Sequence, residues 1–178
     1  MSNYRLAQIN IAKLKAPLDS PELRDFVDNL DRINALAEGS DGFVWRLKGE
    51  GNDATSLRPF GDDVIVNMSV WRDVEALKDF AYRSGHVEIM RRRREWFTRM
   101  AEAYMVLWWV PAGHEPTLEE AAQRLERVRS QGPTPSILMG AGRAAMGTKV
   151  LLIAQRSLMA ARLLNQFIRP DVASEVLR

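Results

Sequence analysis

The order in which two hydrophobic periodicities alternate along the chain most constrains what it can fold into. Four segments alternate apolar and polar side chains with the period of two that is typical of β-strands, namely residues 4–13, 43–48, 63–71 and 104–110. Helical periodicity occupies the two longer intervals between them. The order strand, helix, strand, strand, helix, strand predicts an α+β fold with a ferredoxin-like βαββαβ sheet.

Local signals predict where the helices begin and end. Ser20-Pro21 is typical of a helix start and Gly39 of a helix end, while Ser84-Gly85 interrupts the second helical interval before a segment from His86 to about Ala103. Thr117 and Glu120 have the spacing of a capping box. The helix that follows has a buried stripe of Leu118, Ala121, Leu125 and Val128.

The two faces of the predicted sheet differ in how they are covered. Two helical layers cover one face, and we expect the other to be open although it carries Leu6, Ile65 and Trp71. An open apolar face of that size usually finds a partner. The sequence therefore predicts a homodimer in which two sheets close into a dimeric α+β barrel.

Charge divides the chain into two parts. Residues 136–178 carry six basic and two acidic side chains, so the calculated pI of 9.1 comes from this tail and residues 1–135 are net acidic. We expect 1–135 to be the barrel domain and 136–178 to be a basic helical C-terminal extension. For its apolar segment 146–168, three interpretations stay open: a helix packed on the domain or its dimer mate, a basic helix on a membrane surface, or weakly ordered sequence.

Composition excludes several functions. The chain has no cysteine, which removes disulfides, thiolate nucleophiles and thiolate metal sites, and fits a cytoplasmic protein. The acidic body does not favour nucleic acid as a partner. There is no signal peptide pattern, no paired histidine at helical spacing and no strand-linked phosphate loop.

One histidine and several strand amides are the candidates for chemistry. His86 lies at a helix start between two aromatic-rich helical segments, where a neutral imidazole acts as a base or a hydrogen-bonding group, or packs structurally. Polar residues interrupt two apolar strands, and they either orient a ligand in a cavity or bond one another. These are Gln8, Asn10, Asn67 and Ser69.

Aromatic side chains have two interpretations: they belong to the core and the interface, which is the commoner role of tryptophan, or they wall the cavity. The predicted substrate-contacting set is Trp71, Tyr82, Trp96 and Trp108, together with Gln8 and Ser69. Because Trp108 and Trp109 are adjacent in a strand, they point to opposite faces. The run 91–94 of four arginines is either a solvated face with salt bridges across a dimer or a clamp for an anionic ligand.

Several of these motifs resemble a known family. Trp71, Leu77, Phe80, the SGH triplet ending at His86, the RRREWF run, LWWVPAG and GPTP resemble the family called domain of unknown function 3291 over about residues 4–135. That family is similar to the dimeric α+β barrel group of antibiotic-biosynthesis monooxygenases. The resemblance implies a homodimer with a small-molecule cavity in each subunit.

Members of that group also suggest chemistry. Some oxidise aromatic polyketides without a cofactor, using Asn and Trp side chains, and others degrade haem. Asn10, Phe80 and His86 occupy similar places to the haem-contacting residues, but His86 follows the aromatic residue about a helical turn too early. The resemblance thus implies no cofactor, with haem as the alternative.

Two functions follow from these observations. The first is an enzyme that oxidises or otherwise tailors a small apolar or aromatic, polyketide-like molecule, with Asn10, Asn67 and Trp71 orienting it and His86 moving a proton. The second is a non-catalytic homodimer that binds a ligand or serves as a scaffold. A cavity filled by Trp and Leu side chains would favour the second.

Overall fold

The computed structural model describes residues 3–132 and the backbone of residues 137–140. In chain order the elements are β1 (Tyr4–Lys13), α1 (Arg24–Asp28), α2 (Leu30–Glu38), β2 (Phe43–Arg46), β3 (Val64–Trp71), α3 (Val74–Arg83), α4 (His86–Trp96), β4 (Met105–Pro111), α5 (Leu118–Gln131) and β5 (Ile137–Gly140).

The strands form one antiparallel sheet in the order β2-β3-β1-β4-β5. Its first four strands have the order of the ferredoxin-like fold, which confirms the α+β prediction. Strand β5 pairs with β4 and lies beyond residue 135, so strand pairing continues past the predicted end of the first domain. The predicted helix within 146–168 lies outside the described residues.

Register fixes which side chains share a face. Leu6 lies opposite Trp71 and Trp109, and Asn10 lies opposite Asn67 and Met105. These residues belong to what we term the helix face, because helices α1 to α4 pack against it. The residues between them in each strand point the other way, onto the α5 face.

The α5 face is the main hydrophobic core. Its strand residues pack against Ala121, Leu125 and Val128 of α5 and against the segment 47–60, which contributes Ala54, Leu57 and Phe60. Every strand residue of this core is at most 6% exposed. Covering this face therefore needs no second chain.

The expectation that one face of the sheet is open and apolar is thus wrong, because both faces are covered within the chain. Leu6, Ile65 and Trp71 lie on the helix face, where α1 to α4 cover them, and the opposite face is closed by α5 and residues 47–60. Alternation shows which residues share a face but not which layer lands on it. The homodimer itself stays a prediction.

The helix ends follow the sequence with two exceptions. Thr117 Oγ1 accepts from the Glu120 backbone N–H at 3.1 Å, and α5 ends at Gly132 with a φ of 80°. The first helix begins at Arg24 rather than Ser20, because residues 20–24 form tight i to i+3 turns, and it is divided at Asn29. Helix α4 ends at Trp96, where Phe97 bridges to Leu14.

In the part of the chain that the structure describes, no helix is long and apolar enough to span a bilayer.

Candidate functional site

A cavity of about 420 Å³ lies between the helix face and the helices. Its floor is made by side chains of the central strands, its roof by α1, α2 and α4, and its rim by residues 46–55. The side chains that line it include Asn10, Ala12, Asn67, Leu107, Phe26, Ile33, Tyr82, His86, Ile89, Met90, Arg93 and Tyr104.

The cavity exists because two aromatic clusters hold the helices off the sheet at either side of it. Trp71 packs with Ala37, Ala76 and Phe80 at one side, and Trp96 packs with Leu23 and Phe26 at the other. Between them the floor carries asparagine and alanine, whose side chains are too short to fill the space.

The floor is organised by one buried amide. The Gln8 side chain donates through Nε2 to Asn67 Oδ1 at 3.0 Å and to Ser69 Oγ at 3.1 Å, and its Oε1 accepts from Asn10 Nδ2 at 3.3 Å. Trp71 Nε1 donates to Ser69 Oγ at 2.8 Å. These bonds satisfy polar groups that burial would otherwise penalise.

Both interpretations of the strand amides therefore apply to different members of the set. Gln8 and Ser69 are buried, 5% and 6% exposed, and bond their neighbours beneath the floor. Asn10 and Asn67 reach the cavity and are direct cross-strand partners. Such partners have Cβ atoms about 5 Å apart, so their amides lie side by side.

His86 borders the cavity. Its Nδ1 lies 3.5 Å from the carbonyl oxygen of Ala81, and since that oxygen only accepts, this long contact favours the tautomer with the ring hydrogen on Nδ1. Nε2 then carries the lone pair and has no partner among residues 3–132. Burial lowers the pKa of His86 below its ordinary value, and the bond to Ala81 offsets this only in part. At neutral pH the imidazole is uncharged.

A column of stacked rings fixes the orientation of His86. The imidazole stacks on Phe80 at 4.7 Å, Phe80 stacks on Trp71 at 5.1 Å, and Phe43 meets Trp71 edge-on at 5.3 Å. Trp71 thus supports both His86, through the rings, and the floor amides, through Ser69. It acts from behind the cavity wall.

The cavity also has a cationic corner. The guanidinium of Arg93 lies 5.1 Å from the ring centre of Tyr104 and donates to the Tyr104 hydroxyl at 3.4 Å. Among the described residues no carboxylate pairs with Arg93. Arg46, at the rim, is instead neutralised by Glu38 at 2.9 Å. Burial raises the pKa of the nearby Tyr82, which keeps its phenol protonated.

The structure brings together four of the nine predicted site residues. His86, Asn10, Asn67 and Tyr82 line the cavity. Gln8, Ser69 and Trp71 are not among the lining residues; they lie beneath or behind the wall and are linked to it by hydrogen bonds.

Trp96 and Trp108 are not part of the cavity. Trp96 is fully buried among Phe26 and Phe97. Trp108 points to the α5 face, where its Nε1 donates to Glu120 Oε1 at 3.0 Å, and its neighbour Trp109 is on the helix face as the alternation predicts. The clustering of aromatic residues near His86 in the sequence does not distinguish a structural wall from a ligand-binding one.

The arginine run divides by helix phase. Arg92 pairs with Glu95 at 2.8 Å and also with Asp25, Arg91 and Arg94 are exposed, and Arg93 turns inward. Arg93 was missed because four identical residues hide any periodicity. The spacing His86, Ile89, Met90, Arg93, Phe97 is a helical stripe, and counting from His86 would have found it.

Among the described residues, no group of three His, Cys, Asp or Glu side chains is placed to hold a metal ion.

The family model named Domain of unknown function (DUF3291) matches residues 5–139. The chain belongs to this family. No curated protein matches it.

Solved structures with a similar fold are distant in sequence. SnoaB, a cofactor-independent oxygenase from Streptomyces nogalater, is 18% identical with a TM-score of 0.39, covering 66% of this chain and 98% of SnoaB. Rv0793 from Mycobacterium tuberculosis is 15% identical with a TM-score of 0.43, covering 64% and 99%. A protein of unknown function from Nitrosomonas europaea is 13% identical with a TM-score of 0.41, covering 65% and 95%.

Proposed function

We propose that the protein is a small-molecule enzyme of the antibiotic-biosynthesis-monooxygenase-like type. Its substrate is an aromatic, polyketide-like molecule held in the cavity, and its reaction is a cofactor-independent oxidation or another tailoring step. The cavity of about 420 Å³ is within the size range of small-molecule sites, and apolar side chains with a few polar groups are the usual lining of such sites.

The observation that carries this proposal is a neutral imidazole held rigidly at the cavity wall. A base must be unprotonated at working pH and must be oriented, and His86 meets both conditions through its lowered pKa and its stacking on Phe80. Asn10 and Asn67 then orient the substrate through their amides. His86 Nε2 accepts a proton from it.

Proton removal is the step that such a substrate needs. An anthrone has a weakly acidic CH2 group between two aromatic rings, and its anion is electron-rich enough to react with dioxygen directly. The anion forms a C–O bond to dioxygen and takes up a proton to give a hydroperoxide. Loss of the second C–H proton then breaks the O–O bond, so that one anthrone and one dioxygen give one quinone and one water. His86 would therefore supply the base, and the apolar walls would exclude water from the anion.

The test compares the two histidines of the chain. Oxygen uptake is measured with 1,8-dihydroxyanthrone as the probe, for the wild type, His86→Gln and His114→Gln. We expect His86→Gln to lower the enzyme-dependent rate by about 10²- to 10⁴-fold, the usual share of a general base. His114 is bonded to Glu120 on the other side of the sheet, so its replacement should leave the rate unchanged.

Equal rates for the two variants would contradict the role of His86. No uptake by the wild type, with tight binding of the probe, would favour the second candidate, a non-catalytic ligand-binding protein. The internal bonding of Gln8, Ser69 and Trp71 supports that alternative, because a purely structural network needs no substrate. The empty space between the two tryptophan clusters favours a protein that binds a small molecule over a scaffold alone.

We also propose that the chain forms a homodimer in solution. Light scattering at micromolar concentration should then give twice the chain mass of 20.2 kDa, and a value equal to one chain would refute it.

A further inference from the structure

Gln8 stands between the two asparagines of the cavity floor, and it can bond them in only one way at a time. Its amide has one oxygen, which accepts, and one nitrogen, which donates. The nitrogen side meets Asn67 and the oxygen side meets Asn10. Asn67 therefore uses its own oxygen for Gln8, and Asn10 uses its own nitrogen.

The groups left over for the cavity are then opposite in character. Asn67 keeps its N–H donors and Asn10 keeps its oxygen acceptor, and neither group has another partner among residues 3–132. If the Gln8 amide were turned over, both asparagines would turn with it, and the donor and the acceptor would simply exchange places. In either orientation the two amide ends that face away from Gln8 are one nitrogen, which donates, beside one oxygen, which accepts.

We propose that Gln8, which does not reach the cavity, sets the specificity of the site for ligands whose buried end carries one donor beside one acceptor, as a lactam or a carboxamide does. A ligand end with two donors or two acceptors leaves one buried group unpaired, which binding penalises. This inference rests on the proposed function in one respect only, that the cavity binds aromatic molecules.

Replacing Asn67 by aspartate should reverse the preference. The carboxylate introduced by Asn67→Asp can only accept, so the Gln8 nitrogen must face it and the Gln8 oxygen must face Asn10. Asn10 then still presents its oxygen, and the floor becomes two acceptors. Because Asn67 is exposed, this change is compatible with folding.

A matched control and a second variant complete the set. Asn34→Asp adds the same charge to the cavity lining at a residue that has no bond to Gln8. Gln8→Met keeps the size of the buried side chain but removes its bonds, so Asn10 and Asn67 can each turn independently.

The experiment measures the dissociation constants of three bicyclic probes by calorimetry with the full chain. These are 2-quinolinone, with a donor beside an acceptor, 2,3-diaminonaphthalene, with two donors, and naphthalene, with neither. We expect the wild type and Asn34→Asp to prefer 2-quinolinone over the diamine by about tenfold, the worth of one unpaired hydrogen bond. Asn67→Asp should prefer the diamine by about tenfold, and Gln8→Met should bind the two within about threefold.

Each other outcome overturns a distinct statement. The same preference in the wild type, Asn67→Asp and Gln8→Met would refute the role of Gln8 while leaving the cavity as a ligand site. A reversal in Asn34→Asp equal to that in Asn67→Asp would show a charge effect only, and would also refute it. Failure of all three probes to bind any variant would refute the proposed function and this inference with it.

Discussion

Ser69→Ala tests whether the network behind the cavity holds the site together. Ser69 is buried and its Oγ accepts from Trp71 Nε1 at 2.8 Å and from Gln8 Nε2 at 3.1 Å. Without that oxygen, Gln8 keeps its bond to Asn67, but the indole N–H of Trp71 is left buried and unpaired. An unpaired buried donor costs about 1–3 kcal/mol, so we expect the free energy of unfolding to fall by about 2 kcal/mol.

Chemical denaturation followed by tryptophan fluorescence measures this loss, with Ser130→Ala on the exposed side of α5 as a control that changes stability by less than about 0.5 kcal/mol. Trp71→Phe keeps a ring against Phe80 and removes the N–H. The double variant of Ser69 and Trp71 should therefore lose about 1 kcal/mol less than the sum of the two single variants. Strict additivity, or a Ser69→Ala variant as stable as the wild type, would refute the reasoning.

Three further predictions concern other parts of the molecule. The folded state lowers the pKa of His86, whereas in the unfolded chain His86 is protonated near its ordinary pKa of about 6.5. Stability should therefore decline as pH falls through about 6.5. Thermal melts should show a weaker decline in His86→Gln but not in His114→Gln. Leu125→Ala should lower the free energy of unfolding, measured by chemical denaturation, by about 2–5 kcal/mol, because this fully buried side chain joins α5 to the sheet. A smaller loss would mean that α5 packs loosely on the sheet. Gly42→Ala should lower the melting temperature because φ is 79° and the new Cβ would lie 2.6 Å from a side chain of α3, whereas Gly39→Ala, at φ −84°, should be tolerated.

Most of the fold was predictable from the strand pattern because the physical cause of that pattern is local. In β3 the alternation of Val64, Val66, Met68 and Val70 with a second set that includes Asn67 and Ser69 reflects two faces in different surroundings, and a period of two needs no knowledge of the rest of the chain. The same holds for Thr117, whose cap is made within four residues. Such features are readable because the residues that form them are neighbours.

The covering layers could not be predicted in the same way. Which layer lies on Leu6 and which on Ile9 depends on α5 and on residues 47–60, and both are far along the chain from β1. An amphipathic helix has one apolar stripe, but the stripe does not show which surface the helix packs against. The prediction therefore placed Trp71 on an open face, whereas it lies under α3.

The candidate site was predictable in its polar residues and not in its aromatic ones. Asn10 and Asn67 interrupt apolar strands, and a polar group at such a place needs either a bond or a cavity. Trp96 and Trp108 carry no such signal, because a large aromatic ring packs equally well in a hydrophobic core and against a ligand. Only the three-dimensional packing separates these two cases.

The closure of the α5 face has a consequence for how the chain folds. Strand β1 is synthesised well before α5, yet Ala7, Ile9 and Ile11 are fully covered only after α5, which begins at Leu118, has been made. Contacts that join such distant segments are slow to form, because the loop between them must close first. Until α5 has been made the nascent chain therefore exposes an apolar strand, and this interval is when aggregation or chaperone binding competes with folding.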